Sequence, residues 1–364
     1  MSSSVRERLF PMRDPVTESS AAGHLEPAYD ESAVRAAWLL RPALFLLRLG
    51  PLLVLLALCV ALSFASPYFL TERNVTNLGF QTSIVAVLAL GQLLVILTRG
   101  IDLSVGSVVA LAGVTGAMLA GSDWYGSGGA VLAIMILIGG GVGLCNGLVI
   151  VKGRVLNPFI VTLGALSIVR GVALLISDAQ TLTSIPNLIL NAGTSKVGPL
   201  PVPTVLVLSL AVLTWLLTAR TQWGRWIYAI GGNPEAARRV GIPVDRVLIS
   251  VYVLSGLSAG IAGMLVAGRT GAGSPIEGAG LELDAITAVV IGGVSFFGGR
   301  GNVWNVLVGA LIIGVIGNGL NLLDVTPFWR QVAIGALVVI SIELDLVRGM
   351  IENRLRSIQA LQRA

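Results

Sequence analysis

The chain has 364 residues, of which 55% are apolar, 12% are charged and 45 are glycine, at a mean hydropathy of +0.87. Soluble chains carry about 25% charged residues, so this composition excludes a water-soluble domain. The net charge of +5, from 24 basic and 19 acidic residues, is spread between apolar runs. It reports membrane topology rather than a nucleic-acid surface.

Residues 1 to about 34 are polar and hold too little apolar surface to fold alone, which predicts a disordered tail. From Val34 to Leu49 the pattern Trp38, Leu39, Phe45 and Leu46 with Arg35, Arg41 and Arg48 fits a short interfacial helix that Pro42 would interrupt. The first apolar run begins too late, and is too long, for a cleaved signal peptide.

Apolar runs follow near 51–70, 80–98, 103–121, 129–151, 158–177, 201–219, 247–268, 282–298, 302–323 and 328–347. A helix of about 20 apolar residues crosses a hydrocarbon core of roughly 30 Å. The expected fold is therefore an all-α integral membrane protein with about ten transmembrane helices. With a cytoplasmic N-terminus, the inner segments hold 19 of the basic residues and the outer ones only Arg73, Lys196, Arg269 and Arg330. The positive-inside rule then places both termini in the cytoplasm. The organisation this predicts is a tail over 1–49, a transmembrane domain over 50–348 and a cytoplasmic tail over 349–364.

The chain resembles itself. GVGLCNGL, ending at Leu148, leads to Pro158-Phe159 and Gly164-Ala165-Leu166; IIGVIGNGL, ending at Leu320, leads to Pro327-Phe328 and Gly335-Ala336-Leu337. Upstream, Asp102 and Asp284 each open an apolar run. The units span crossings 2–5 and 7–10, an offset of five, so equivalent helices run in opposite directions. Such an inverted internal repeat is a recurrent way to build a path whose two ends open alternately. Gly139, Gly143 and Gly147 lie four apart, as do Ser255, Ala259, Gly263 and Ala267, a spacing that lets helix backbones approach closely in lipid.

Several chemistries are excluded. The single histidine is His24 and the two cysteines, Cys59 and Cys145, lie within apolar runs, so no metal, haem or dithiol site can be assembled. The only lysines, Lys152 and Lys196, lie outside any phosphate-binding Gly-Lys-Ser/Thr run, so ATP chemistry has no P-loop here. No cofactor is expected in this chain.

Between the sixth and seventh runs, the segment Gly231, Gly232, Asn233, Pro234, Glu235, Ala236, Ala237, Arg238, Arg239 to Gly241 reads as a very short helix. Asn233 suits the cap and Pro234 the first position, Glu235 the positive end, Arg238 and Arg239 the negative end, and Gly241 the stop. A helix this short needs a docking surface, which makes it a contact for a cytoplasmic protein; the alternative is a solvated loop whose arginines enforce topology.

The stretches GIDLSVGSVVALAG from Gly100, NPFIVTLGALSIVRG from Asn157, GRWIYAIGGNPEAARRVGI, ELDAITAVVIGGVSFFGGRG and GALIIGVIGNGLNLL together resemble the permease subunit of ribose-type ABC sugar importers. The resemblance covers about residues 45–348. It implies a bacterial inner-membrane permease that pairs with a second permease chain, docks a cytoplasmic ABC ATPase that handles ATP and Mg, and receives sugar from a periplasmic binding protein. It also implies that the segment Gly231–Gly241 is the coupling helix that enters a groove on the ATPase.

A neutral sugar needs hydrogen-bonding groups along a path that binds it weakly. Gln92, Asn146, Thr162, Ser167, Asn318 and Asn321 lie within or near apolar runs, placed either for helix–helix hydrogen bonds or to line the path. Arg170 falls inside the fifth crossing and needs a partner, an aqueous cavity or a snorkel to the outer interface. Asp102 and Asp284 are expected to cap their helices and complement the helix dipole, with substrate contact as the alternative. Arg269, Glu277 and Glu282 fall in an outer loop able to meet the binding protein, and Trp304, Phe328 and Trp329 suit membrane interfaces. A secondary transporter, or an importer of a nucleoside, inositol or branched-chain amino acid, is the rival reading.

Overall fold

The computed structural model describes residues 49–122, 127–155, 157–326 and 328–361. The predicted N-terminal tail and its interfacial helix lie outside the described residues. In chain order the helices are α1 (Leu49–Ala65), α2 (Glu72–Leu97), α3 (Val105–Ala120), α4 (Gly128–Lys152), α5 (Pro158–Ile176), α6 (Asn187–Thr194), α7 (Val202–Arg220), α8 (Gln222–Gly232), α9 (Pro234–Arg239), α10 (Val244–Thr270), α11 (Leu281–Ile291), α12 (Val303–Leu322) and α13 (Phe328–Leu361). A two-residue hairpin, β1 (Lys196–Val197) with β2 (Leu200–Pro201), sits between α6 and α7. Helices α2, α4, α5, α7, α10 and α12 are long and apolar enough to cross a membrane. The chain is thus an all-α, multi-pass membrane protein.

Local chemistry sets the helix starts. Thr71 caps α2 by accepting from the Asn74 N–H at 3.4 Å, so the polar turn from Glu72 is helical before the apolar run begins. Asn157 accepts from Phe159 N–H at 3.1 Å with Pro158 in the first position of α5, and Asn302 accepts from Trp304 N–H at 2.9 Å at the start of α12. Gly271, at φ 68°, closes α10 in the left-handed conformation that glycine adopts without steric cost.

Helices α2 and α10 form the centre. In α2, 83% of the apolar window is buried, against 17% in α5, so α2 is held by protein and α5 faces outward. Close backbone approach sets the packing of α4 on α10: a Cβ on Gly139 would overlap the Gly256 carbonyl, and one on Gly143 the Tyr252 carbonyl. The other face of α10 meets α2, where Gly91 lies against Ser255 and Ser258, and α3, where Gly263 lies against Val109 and Ala112.

The packing is reciprocal. α10 packs on α3 and α4, α2 packs on α11 and α12, and α2 and α10 pack on each other; α3 contacts both α4 and α5, as α11 contacts both α12 and α13. The third and eighth apolar runs differ from the full-length helices expected. α3 has 16 residues and α11 has 11, about 24 and 16 Å at 1.5 Å per residue, short of a full hydrocarbon core. Each is preceded by a non-helical segment, 98–104 and 271–280, and α11 gives way at Gly292 to turns running to Asn302. Polar carboxylates and glycines interrupt the apolar period at these points, which is why whole helices do not form. α13 continues beyond the tenth run to Leu361.

Candidate functional site

Three places gather the chemistry: the end of the bundle that carries α9, the centre where α3 and α11 begin, and a cavity towards the opposite end, where α6 lies.

At the first, α9 has the punctuation read from the sequence. Asn233 accepts from Ala236 N–H at 3.0 Å, Pro234 and Glu235 open the helix, Arg238 and Arg239 close it, and Gly241 follows at φ 82°. Ala237 is buried while Val240 is 76% exposed; Arg238 is paired with Asp245 at 2.6 Å across exposed surface. Gly231 and Gly232 form the last turn of α8, and Arg99 reaches them from beyond the end of α2: its Nε donates to Gly231 O at 2.7 Å and its Nη2 to Gly232 O at 2.5 Å. Gly299 N–H donates to Leu97 O at 3.0 Å, and the Tyr228 hydroxyl of α8 donates to Gly301 O at 3.0 Å. Burial pushes the Tyr228 phenol above its ordinary range, so it stays a protonated donor. α8, the end of α2 and the turn after α11 are thereby tied together.

At the centre, Asp102 is fully buried. Its Oδ1 accepts from Ser104 N–H at 3.1 Å and Ser104 Oγ at 2.6 Å, and its Oδ2 accepts from Ser255 Oγ of α10 at 2.9 Å. Three of the polar residues singled out from the sequence converge on this segment. The Gln92 amide, in the orientation that satisfies it, pairs with both backbone groups of Asp102; Asn146 donates to Ser104 Oγ at 3.0 Å; Thr162 donates to Ile101 O at 3.0 Å. They hold the lead-in to α3, satisfying backbone groups that a half-length helix leaves open. Arg170 of α5 finds its partners in backbone carbonyls: Pro275 O and Glu277 O, each at 2.6 Å, and Gly106 O at 3.4 Å. It therefore fastens the 271–280 loop to the start of α3. Gly106 in turn lies against the Glu282 carboxylate of α11, so the two short helices begin side by side.

The aspartates do not occupy the cap positions expected of them, although Asp102 accepts the Ser104 N–H and Asp284 lies in the first turn of α11. Ser104 occupies the position before α3, two residues after Asp102. Gly280, in the left-handed conformation at φ 87°, precedes α11 and lets the chain turn abruptly into it, which leaves Asp284 in the first turn, ion-paired with Arg330 of α13 at 2.5 Å. Asn318 is buried and pairs reciprocally with Asn74 at 2.7 and 2.9 Å. Ser167 lies on the outer face of α5, bonded to its own helix at Leu163 O, 3.5 Å away.

The cavity, of about 410 Å³, is lined by Gln81, Ile84 and Val85 of α2, Val266 and Arg269 of α10, Glu277, Gly278, Ala279 and Leu281, Ile313 and Asn321 of α12, and Arg330. Arg269 Nη1 and Arg330 Nε are buried without a hydrogen-bond partner among the described residues. Of the residues singled out from the sequence for the path, Asn321 alone lines it. Sequence reasoning missed Gln81, the pairing of Arg330 and the role of Arg99; the sequence signal for Arg99 is its place between a helix end and Gly100, and in the structure Arg99 itself stands at φ 67°.

The family model described as branched-chain amino acid transport system / permease component matches residues 74–342. The chain is 42% identical over 298 residues to the D-allose transport system permease protein AlsC of Escherichia coli strain K12, covering 80% of this chain and 89% of that protein. It is 41% identical over 307 residues to the ribose import permease protein RbsC of Bacillus subtilis, covering 82% and 92%, and 38% identical over 309 residues to the fructose import permease protein FrcC of Rhizobium meliloti, covering 81% and 84%. No solved structure matches. On the family match and on these sugar-permease relatives, the chain belongs to the transport-system permease component family, among the permease subunits of monosaccharide ABC importers.

Proposed function

We propose that this chain is the inner-membrane half of an ATP-driven importer that moves a monosaccharide of the ribose, allose, fructose or arabinose kind, delivered by a periplasmic binding protein. Both termini face the cytoplasm, and ten crossings, two of them discontinuous at α3 and α11, form an inverted repeat. The exchange of α2 and α10 between the units, with α3 and α11 short in equivalent places, supports that reading, because interrupted helices at matching positions characterise transporters of this build. The outward face of α5, with Ile160, Ile168 and Leu175 exposed, leaves room for a second permease chain.

The observation that carries the coupling is α9. It is a capped helix of six residues with Val240 exposed outside the membrane-spanning segments, and its neighbour α8 is bolted to the end of α2 by Arg99. An ATPase that grips α9 moves α8 with it. Arg99 passes that displacement to α2, and the Leu97–Gly299 and Tyr228–Gly301 bonds pass it to the turn after α11. Rocking α2 against α10 then alternates access between the two ends. Gln92, Asn146, Thr162 and Arg170 keep the short helices in place during that motion.

The test is reconstitution with the cognate ATPase and binding protein, with uptake of D-ribose, D-allose, D-fructose and L-arabinose measured with and without ATP. Glu235→Arg combined with Gly241→Pro is expected to abolish sugar-stimulated ATP hydrolysis without reducing permease abundance, because proline is fixed near φ −65° where Gly241 stands at 82°. Stimulation at the wild-type level sinks the coupling assignment; uptake driven by an ion gradient alone sinks the importer reading.

A further inference from the structure

We propose that the cleft between α7, α8 and α10, at the end of the bundle that carries α9, is a binding site for one anionic phospholipid. The cleft, of about 550 Å³, is lined by Leu217 of α7, Trp223 of α8 and Arg246, Ile249, Ser250 and Val253 of α10. The four α10 positions fall at i, i+3, i+4 and i+7, which is one face of a helix. α7 packs on α2 and α8, whereas α10 packs on α4, α2 and α3, and the cleft lies between them.

Its chemistry selects the ligand. Trp223 Nε1 donates to Ser250 Oγ at 2.9 Å, and Ser250 Oγ donates to Val247 O at 2.7 Å, so neither residue has a donor left for a ligand. The Arg246 guanidinium is exposed and has no hydrogen bond or ion pair among the described residues; the adjacent carboxylate, Asp245, is paired with Arg238 at 2.6 Å. A cation beside an apolar wall suits an amphiphile with an anionic head, its phosphate at Arg246 and an acyl chain along Leu217, Ile249 and Val253. A soluble anion makes no use of that wall, and a zwitterionic lipid brings its own cation to the guanidinium. Arg246 also stands in the first turn of α10, which no side chain caps and where the helix dipole favours an anion. Arg220, three residues beyond Leu217 and stacked on Trp215 at 5.5 Å, adds positive charge at the same end of α7. The proposed orientation puts this lipid in the inner leaflet, but its binding does not depend on the importer reading.

The full chain, purified in detergent, is titrated with dioleoylphosphatidylglycerol or dioleoylphosphatidylcholine, and the lipids that stay bound are counted by native mass spectrometry. The wild type is expected to hold one phosphatidylglycerol molecule more tightly than phosphatidylcholine. Arg246→Gln, a change at an exposed position, should weaken that binding about five-fold, and Arg246→Lys should keep most of it. Arg354→Gln, which removes an exposed charge from α13, should leave it unchanged. Val253→Trp, which fills the cleft with Arg246 intact, should weaken it as well. Equal binding of the two lipids, or equal binding by the wild type and Arg246→Gln, means an ordinary lipid annulus and overturns the site. Undiminished binding by Val253→Trp overturns the acyl-chain groove, because surface charge alone would then hold the lipid. Displacement of the lipid by glycerol 3-phosphate assigns the cleft to a free phosphate ester instead, and its release when the chain dimerises assigns the cleft to a second copy.

Discussion

Removing the Arg99 guanidinium separates coupling from stability. Its two hydrogen bonds to Gly231 O and Gly232 O, at 2.7 and 2.5 Å, involve a charged donor, for which about 1.5–3 kcal/mol each is typical. Arg99 is exposed, so solvent screening reduces the pair to about 1–2 kcal/mol in all. A loss of that size shifts an equilibrium about 5- to 30-fold. Arg99 also stands at φ 67°, where a side-chain-bearing residue costs about 1–2 kcal/mol. Arg99→Ala keeps that cost, and Arg99→Gly relieves it, less the entropy glycine adds to the unfolded chain. Both variants are expected to raise the ATP hydrolysed per sugar transported by about 5- to 30-fold in proteoliposomes. The glycine variant should be no less heat-stable than the alanine variant. Unchanged stoichiometry in both refutes the clamp. Normal coupling in the glycine variant alone refutes it too, since backbone strain would then be the cause.

Further perturbations probe the scaffold. Asn318→Leu strands the Asn74 carbonyl oxygen, which it pairs at 2.7 Å, and is expected to cost about 1–3 kcal/mol. Asn74→Leu with Asn318→Leu should cost less than the two single changes added, and additivity in a double-mutant cycle of thermal midpoints refutes a coupled pair. Gly139→Leu drives a side chain into the Gly256 carbonyl and is expected to cost about 1–3 kcal/mol or more. Gly141→Leu, with open space around its Cβ position, should leave the thermal midpoint and the size-exclusion profile unchanged; equal loss in both variants refutes the assigned α4–α10 contact.

Much of this architecture is legible in the sequence because lipid imposes simple rules. Apolar run lengths locate the helices, and the punctuation from Asn233 to Gly241 locates α9, since capping depends on residues a turn apart. What escapes depends on contacts between distant segments. Arg170 reads as an arginine stranded in a crossing, but its partners are the carbonyls of Pro275 and Glu277, over a hundred residues away. Asp102 and Asp284 look equivalent as helix openers, yet hydroxyls surround one and an arginine pairs the other. The cavity has no linear signature, because Gln81, Arg269, Asn321 and Arg330 come from four different helices.

That difference between the two aspartates bears on the proposed inverted repeat. Two identical halves would place the same chemistry at both short helices. Here the lead-in to α3 is sealed: Asp102 is 0% exposed and its neighbours Gln92, Ser104, Asn146 and Ser255 spend their hydrogen bonds on that segment and on one another. The lead-in to α11 is open, with Gly278 and Ala279 in the cavity wall and Arg330 bridging from Asp284 to the lining. A fully satisfied buried polar network rigidifies its surroundings, and a partly satisfied one does not. On the proposed inverted repeat, α3 and its supports are expected to be the fixed abutment, although the Tyr252 hydroxyl beside Gly100 is buried there without a hydrogen-bond partner among the described residues, and the loop before α11 is expected to be the movable wall. Arg170 of α5 holds the 271–280 loop at Pro275 and Glu277, so the boundary between the parts proposed as fixed and as movable passes through that guanidinium. On the proposed coupling, motion from α9 through Arg99 and α2 is expected to reach the cavity on the side where Arg269 Nη1 and Arg330 Nε have no hydrogen-bond partner among the described residues.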